Sequence, residues 1–269
     1  MSDSYNETRA RRRRQVVRAA LAALLLASVA LNVVLIYSLI DAFRSVQVAR
    51  IFPLGFAEDS QRSEPERAAG DGRPVFELIG DSRAYLWQTN SWNKSFRVVN
   101  HAHGGQTSRQ VLLQLREMPR IAVAVSVVQV GINDLHPLGV MPEDADRVVA
   151  ALQENLREIV AALLARSDVV VVTTIFPAGE VPLRRQLVWS EATRARIVEV
   201  NAALAALAAS SDRVIVLDAY SLLRSQDQDQ LRAQYADHDF FLHVNAAAYA
   251  TLNEELAKLL RMRGMLGAG

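Results

Sequence analysis

Two unbroken β-branched runs restrict the fold more than anything else in the chain. Ile121–Val130 reads IAVAVSVVQV and Asp168–Ile175 reads DVVVVTTI. Neither alternates polar with apolar residues. Each is therefore expected to be a strand buried on both faces, as in a parallel sheet covered by helices on either side. Between them, Pro142–Arg166 has the spacing of a long amphipathic helix, with Pro142 near its first turn. Shorter strands are expected at Val75–Ile79, Arg97–Asn100 and Arg213–Leu217. Helices are expected at Ser108–Glu117, Ser190–Ser210 and Asn245–Arg263, with Ser190 and Thr193 offering caps to the second. Strands alternating with helices predict an α/β fold: a three-layer α/β/α sandwich around a central parallel sheet of about five strands. Residues 73–264 are long enough for one such domain.

The residues before that domain have a different character. Residues 1–18 are polar and basic, with Arg9, Arg11, Arg12, Arg13, Arg14 and Arg18. Ala19 to Ile40 is then apolar except for Ser28, Asn32 and Ser38, with Tyr37 near one end. As a helix this stretch would reach about 33 Å, enough for a bilayer core. Arg44 and Arg50 follow, outnumbered by the arginines before the span. The positive-inside rule then places residues 1–18 in the cytoplasm and the rest in the periplasm or outside the cell. A cleaved signal peptide is the competing reading, with Ser28-Val29-Ala30 as its cleavage site; the apolar run continues well past Ala30, which favours an uncleaved anchor. A twin-arginine export signal fits the residues after the arginines poorly. Residues 41–72, rich in charge, Gly, Ser and Pro in their second half, read as a flexible linker. The chain's net charge of +1 argues against a general nucleic-acid binder. The absence of cysteine rules out disulfides and thiolate chemistry.

Four short stretches carry chemistry, each with an ordinary alternative. Gly80-Asp81-Ser82 ends the first strand, where open α/β sheets bind ligands; it is also common turn chemistry with Ser82 as a helix N-cap. Asn100-His101-Ala102-His103-Gly104-Gly105-Gln106-Thr107-Ser108 follows the second strand. Its glycines would present backbone N–H groups to a ligand, or simply turn the chain. Gly131-Ile132-Asn133-Asp134 follows the most apolar strand and offers an amide donor, or an Asx turn. Leu242-His243-Val244-Asn245 precedes the last helix and offers a base, or a packing histidine. Together they supply a nucleophile, a base and oxyanion donors, the set that acyl transfer requires.

In these four ordered blocks, over about residues 74–263, the chain resembles the SGNH (GDSL-type) hydrolase family. The resemblance implies a flavodoxin-like fold and a serine esterase needing no metal or organic cofactor. It implies Ser82 as nucleophile, the Gly105 N–H and the Asn133 amide as oxyanion donors, and His243 as base, with Tyr249 following in the same block. The second block departs from the family at Ala102, where a glycine is common. The fifth departs more seriously. The family places an aspartate three residues before the histidine, and here that residue is Phe240. Asp239, one residue further back, is the expected substitute; Asp237 lies two beyond it.

Several further residues admit two readings. Asp81 either braces the nucleophile turn or faces solvent. His136 either lines the pocket or is structural. Arg184-Arg185 either meet an anionic substrate or are solvated. Trp87 and Trp92 either form a sugar-stacking surface or pack in the core. His101, His103 and His238 lack paired carboxylates at ligand spacing, so no metal site is expected. The expected protein is a membrane-anchored, extracytoplasmic esterase acting on an acylated small molecule or glycan, with acetyl groups on an envelope or exported polysaccharide the first candidates. A lysophospholipase or thioesterase, and a non-catalytic or acyl-transferring member of an envelope assembly, are the alternatives.

Overall fold

A computed structural model describes residues 2–51, 72–119, 121–209, 211–226, 229–237 and 241–267. The chain divides into two compact units, Met1–Pro53 and Leu54–Gly269. The first is one helix, α1 (Ser2–Ile51). Within it Arg11–Ala42 is long and apolar enough to cross a membrane, a property that anchors and signal sequences share. The helix outruns the expected Ala19–Ile40 span in both directions. The basic residues and the first part of the expected linker are thus helical; residues 52–71, the rest of that linker, lie outside the described residues.

The second unit is built on five strands: β1 (Val75–Gly80), β2 (Arg97–Asn100), β3 (Val123–Gln129), β4 (Ser167–Thr173) and β5 (Val214–Leu217). They pair in the order β2-β1-β3-β4-β5, every neighbour parallel. The helices are α2 (Ser82–Tyr85), α3 (Ser108–Glu117), α4 (Ile132–Leu135), α5 (Ala145–Leu164), α6 (Ala192–Ala208), α7 (Ala219–Leu223) and α8 (Ala246–Met262). The long amphipathic stretch starts with a 3-10 turn at Pro142–Asp144 before α5 takes over. Successive strand residues point to opposite faces. Val128, Val170 and Val172 pack with Leu152, Ile159 and Val200 of α5 and α6. Val127, Val171 and Leu217 pack on the other side with Leu252, Leu256 and Leu260 of α8. Burying each such side chain contributes about 1.5–3 kcal/mol, which is why both faces must be covered.

Two indoles close the second face. Trp87 and Trp92 are both 4 % exposed, and both N–H groups donate to Asn253 Oδ1, at 2.8 and 3.0 Å. Trp92 also stacks on Phe76, with ring centroids 5.3 Å apart. These tryptophans are core residues, so the sugar-stacking reading does not hold. The one charged residue inside β1 is also accounted for. Glu77 is fully buried but pairs with Arg166 and accepts from the Ser126 hydroxyl.

The sheet order positions the site. The chain leaves β1 for β2 on one side, then returns to β3 on the other. The carboxyl ends of β1 and β3 therefore flank the point where the winding reverses, the usual ligand crevice of such sheets.

Candidate active site

The turn after β1 is made by one glycine and one aspartate. Gly80 has φ +144°, and a Cβ there would lie 1.7 Å from the Gln129 carbonyl oxygen of β3. Only a residue without a side chain lets β1 and β3 approach so closely while the chain turns. Asp81 is the N-cap of α2, accepting from the Arg83 N–H at 2.8 Å. Ser82 is thus the first helical residue rather than the cap, and its side chain is left to project. Asp81 is fully buried, so its carboxyl is pushed up to about 7; the Arg83 charge and the Arg83 and Gly131 N–H groups oppose that rise. It braces the turn and does not face solvent.

The turn after β2 is brought alongside by backbone bonds. His101 N–H donates to Leu78 O at 2.8 Å, and His103 N–H to Gly80 O at 3.0 Å. The Asn100 amide donates to Ala84 O and Tyr85 O, tying the same turn to α2. Beyond it Gly105 takes φ +77°, with open space where a Cβ would be. The segment after β3 is fastened in turn. Asn133 Nδ2 donates to Gln106 O at 3.0 Å. The Asp134 carboxylate accepts from the Ser108 N–H at 2.9 Å and the Ser108 hydroxyl at 2.7 Å. Three turns from three adjacent strands are thereby locked together.

His243 reaches this assembly from the other end of the chain. Its Nε2 lies 3.0 Å from Ser82 Oγ. An isolated antiparallel bridge, Ala236↔Val244, holds its loop, and Gly179 N–H donates to Phe241 O at 2.7 Å. Asn245 then caps α8, accepting from Ala247 and Ala248 N–H. Burial lowers the His243 pKa, and the Arg83 charge lowers it further; Asp237 pulls the other way. Asp237 is the cross-strand neighbour of His243, and its N–H donates to His243 O at 3.4 Å. Opposed residues of an antiparallel pair hold their side chains on one face. Asp239, like His238 and Phe240, lies outside the described residues.

Ser82, Gly105, Asn133 and His243 therefore belong to one connected arrangement. The side chains of His101 and His136 are engaged elsewhere. His101 lies 3.8 Å from Glu77, and burial with the Arg166 charge pushes it down to about 4. His136 packs with Trp189 and Phe241, ring centroids 6.1 and 6.4 Å away, beside the base loop. Its pKa is lowered by burial and by the charge of Arg185. Among the described residues no group of three or more His, Asp or Glu is arranged to hold a metal ion. Two residues escaped the sequence reading. Arg83, directly after Ser82, is fully buried, and Asp134 joins two of the turns. The signal for Asp134 was its place beside Asn133; for Arg83 it was a charged residue between Ser82 and an apolar Ala-Tyr-Leu-Trp run.

Known proteins share this fold. A family model described as "GDSL-like Lipase/Acylhydrolase family" matches residues 68–251. No curated protein matches the sequence. Among solved structures, a candidate platelet activating factor from Streptococcus pneumonia is 22 % identical with a TM-score of 0.59, covering 71 % of this chain and 86 % of that one. A GDSL-like lipase from Bacteroides thetaiotaomicron VPI-5482 is 19 % identical at TM-score 0.55, covering 70 % and 88 %. Axe2, an acetylxylan esterase from Geobacillus stearothermophilus, is 16 % identical at TM-score 0.52, covering 74 % and 99 %. At these identities the likeness is one of fold.

Proposed function

The chain belongs to the GDSL-like lipase/acylhydrolase family, and on that premise we propose that it is a membrane-anchored serine esterase that removes acetyl or other short acyl groups from an envelope or exported polysaccharide. The observation that carries the chemistry is the 3.0 Å approach of His243 Nε2 to Ser82 Oγ at the carboxyl end of the sheet. In the proposed reaction His243 takes the Ser82 proton as Oγ bonds to the ester carbonyl carbon. The carbonyl electrons move onto its oxygen, which the Ser82 and Gly105 N–H groups and the Asn133 amide receive. The bond from Asn133 to Gln106 O uses one amide hydrogen and fixes the plane of the group; an amide carries a second. Each such donor is worth about 3–4 kcal/mol of barrier. The histidine then protonates the departing alcohol. Water, activated the same way, opens the acyl-enzyme and restores the serine.

Accessibility supports a large acceptor. Ser82 and Asn133 are half-buried, and Gly104 and Gly105 are exposed. An ester displayed on a polymer can be presented to such a rim without threading a tunnel. The apolar part of α1 supports anchoring, and the arginines before it support a cytoplasmic N-terminus. The test is turnover of p-nitrophenyl acetate, butyrate and octanoate by the full-length protein. A preference for acetate of tenfold or more over octanoate is expected. A preference for octanoate would replace the glycan reading with a lipid or thioester substrate.

Two carboxylates compete to orient His243. Motif spacing proposes Asp239, whereas the cross-strand position and electrostatic pull within the described residues favour Asp237. Exchanging each for asparagine separates them. Asp237→Asn is expected to reduce kcat by up to about 10,000-fold, the loss seen when a buried triad aspartate is neutralised. Asp239→Asn should stay within a few fold of wild type. The opposite ranking would return the role to Asp239. Unchanged kcat in both would leave the imidazole held by a backbone carbonyl or water.

A further inference from the structure

Arg83 follows the nucleophile directly, and its whole side chain is buried. Arginine is almost never fully buried unless its charge and donors are used. Here two of its donors are used, one on the loop that carries the base and one on the segment after β4. Nε donates to Leu242 O at 2.6 Å, the carbonyl of the residue before His243. Nη1 donates to Phe176 O at 3.1 Å, and the guanidinium carbon lies 5.2 Å from the centre of the Phe176 ring. The backbone of the same residue is used as well: its N–H goes to Asp81, and its carbonyl accepts from Tyr249 Oη at 2.8 Å. One residue therefore ties the nucleophile turn to the segment after β4, to the base loop and to the first turn of α8. A leucine at this place, as in the motif that gives the family its letters, has no side-chain donor to make the two carbonyl bonds.

We propose that Arg83 is a positioning residue for the base, its buried guanidinium clamping the loop that carries His243. This rests on the reading of Ser82 and His243 as nucleophile and base. The clamp has two effects. It fixes the carbonyl one residue before the imidazole, adding to the bridge at Ala236↔Val244 and the Gly179–Phe241 bond in holding the 3.0 Å approach to Ser82. It also sets a positive charge on one side of the imidazole. Among the described residues, the charged groups facing His243 are Arg83 from α2 and Asp237 from the opposed segment; Asp81 and Tyr249 face Arg83 itself. A cation beside an imidazole disfavours its protonated form. Arg83 thus keeps His243 able to accept a proton at mildly acidic pH, while Asp237 steadies the imidazolium formed during the reaction.

The experiment uses the full-length protein in detergent with p-nitrophenyl acetate, and compares wild type, Arg83→Met and Arg83→Lys. Thermal unfolding of each variant is measured beside kcat, KM and the pH profile of kcat/KM. Arg83→Met is expected to lower kcat about 100-fold, the scale of an ångström-sized misplacement, with KM within about threefold. Its acid limb should move to higher pH, because the opposing cation is gone. Arg83→Lys keeps the charge but not both bonds. Its acid limb should stay in place, and kcat should fall about tenfold. Wild-type kcat and an unmoved acid limb in a folded Arg83→Met would overturn the proposal. So would a loss of activity matched by loss of folded protein with the limb unmoved. If Arg83→Met does not fold, Arg83→Lys decides: wild-type kcat in it overturns the clamp. Retained turnover in His243→Ala would instead remove the underlying assignment of the base.

Discussion

Ser82→Ala is expected to lower the turnover of p-nitrophenyl acetate by about 10,000-fold to a million-fold, and His243→Ala by a similar factor. On the proposed mechanism Ser82 and His243 act as one unit, so losing either forfeits nearly all that the pair contributes. The double variant should therefore be no slower than the single ones, within about threefold. Losses that multiply would mean that the two residues act independently and that the 3.0 Å contact is not the catalytic one. Both variants should fold. Ser82 and His243 are half-buried, and neither belongs to either of the two main hydrophobic clusters. Their unfolding midpoints should lie within a few degrees of wild type. A fluorophosphonate should label wild type and leave Ser82→Ala unlabelled. Labelling without turnover would point to a dedicated acyltransferase rather than a hydrolase.

The second large effect concerns stability. Gly80→Ala is expected to cost about 4 kcal/mol or more, well above the range of most single substitutions. Its Cβ would lie 1.7 Å from Gln129 O and 2.7 Å from Gln129 C, both backbone atoms of β3. No side-chain rotation relieves such a clash; the strands must part. The backbone at φ +144° adds strain of its own. Against a total stability of about 5–15 kcal/mol, this should lower the unfolding midpoint by ten degrees or more, or prevent folding. The neighbouring turn provides the contrast. Gly104 has nothing within 4 Å of its Cβ position, so Gly104→Ala should be nearly neutral. Gly105→Ala, at φ +77° but in open space, should cost only about 1–2 kcal/mol. Equal unfolding midpoints for Gly80→Ala and Gly104→Ala would refute the strand-approach account.

The strands were legible because burial on both faces leaves its mark on composition. Ile121–Val130 contains β3, and Asp168–Ile175 covers all of β4 except its first residue, Ser167. Their ends were less legible, because hydrophobicity records burial and not pairing. Val130 is 2 % exposed yet follows the last paired residue of β3. Helix starts followed local chemistry where a side chain makes the cap, as Asn245 does for α8. At α6 the expected cap, Ser190, accepts instead from Ala192 N–H, and the helix begins at Ala192. The nucleophile, glycine, asparagine and histidine turns were legible as short local patterns. What brings them together was not. The Asp134–Ser108 bond and the reach of Arg83 to Leu242 span 26 and 159 positions along the chain, and no local pattern encodes them.

The two halves of the site become available at different times as the chain is made. Ser82, Gly105 and Asn133 lie within some fifty consecutive residues, on strands that pair with their immediate neighbours. His243 arrives only with the last segment. That segment also brings α8, whose Asn253 is the acceptor for both buried indoles and whose leucines cover the second face of the sheet. Base and last layer are one piece of chain. A nascent or truncated chain ending before residue 241 would carry Ser82 beside an uncovered apolar face, without His243 and without the Leu242 and Tyr249 bonds to Arg83. On the proposed mechanism, hydrolytic competence is in this way tied to completion of the fold.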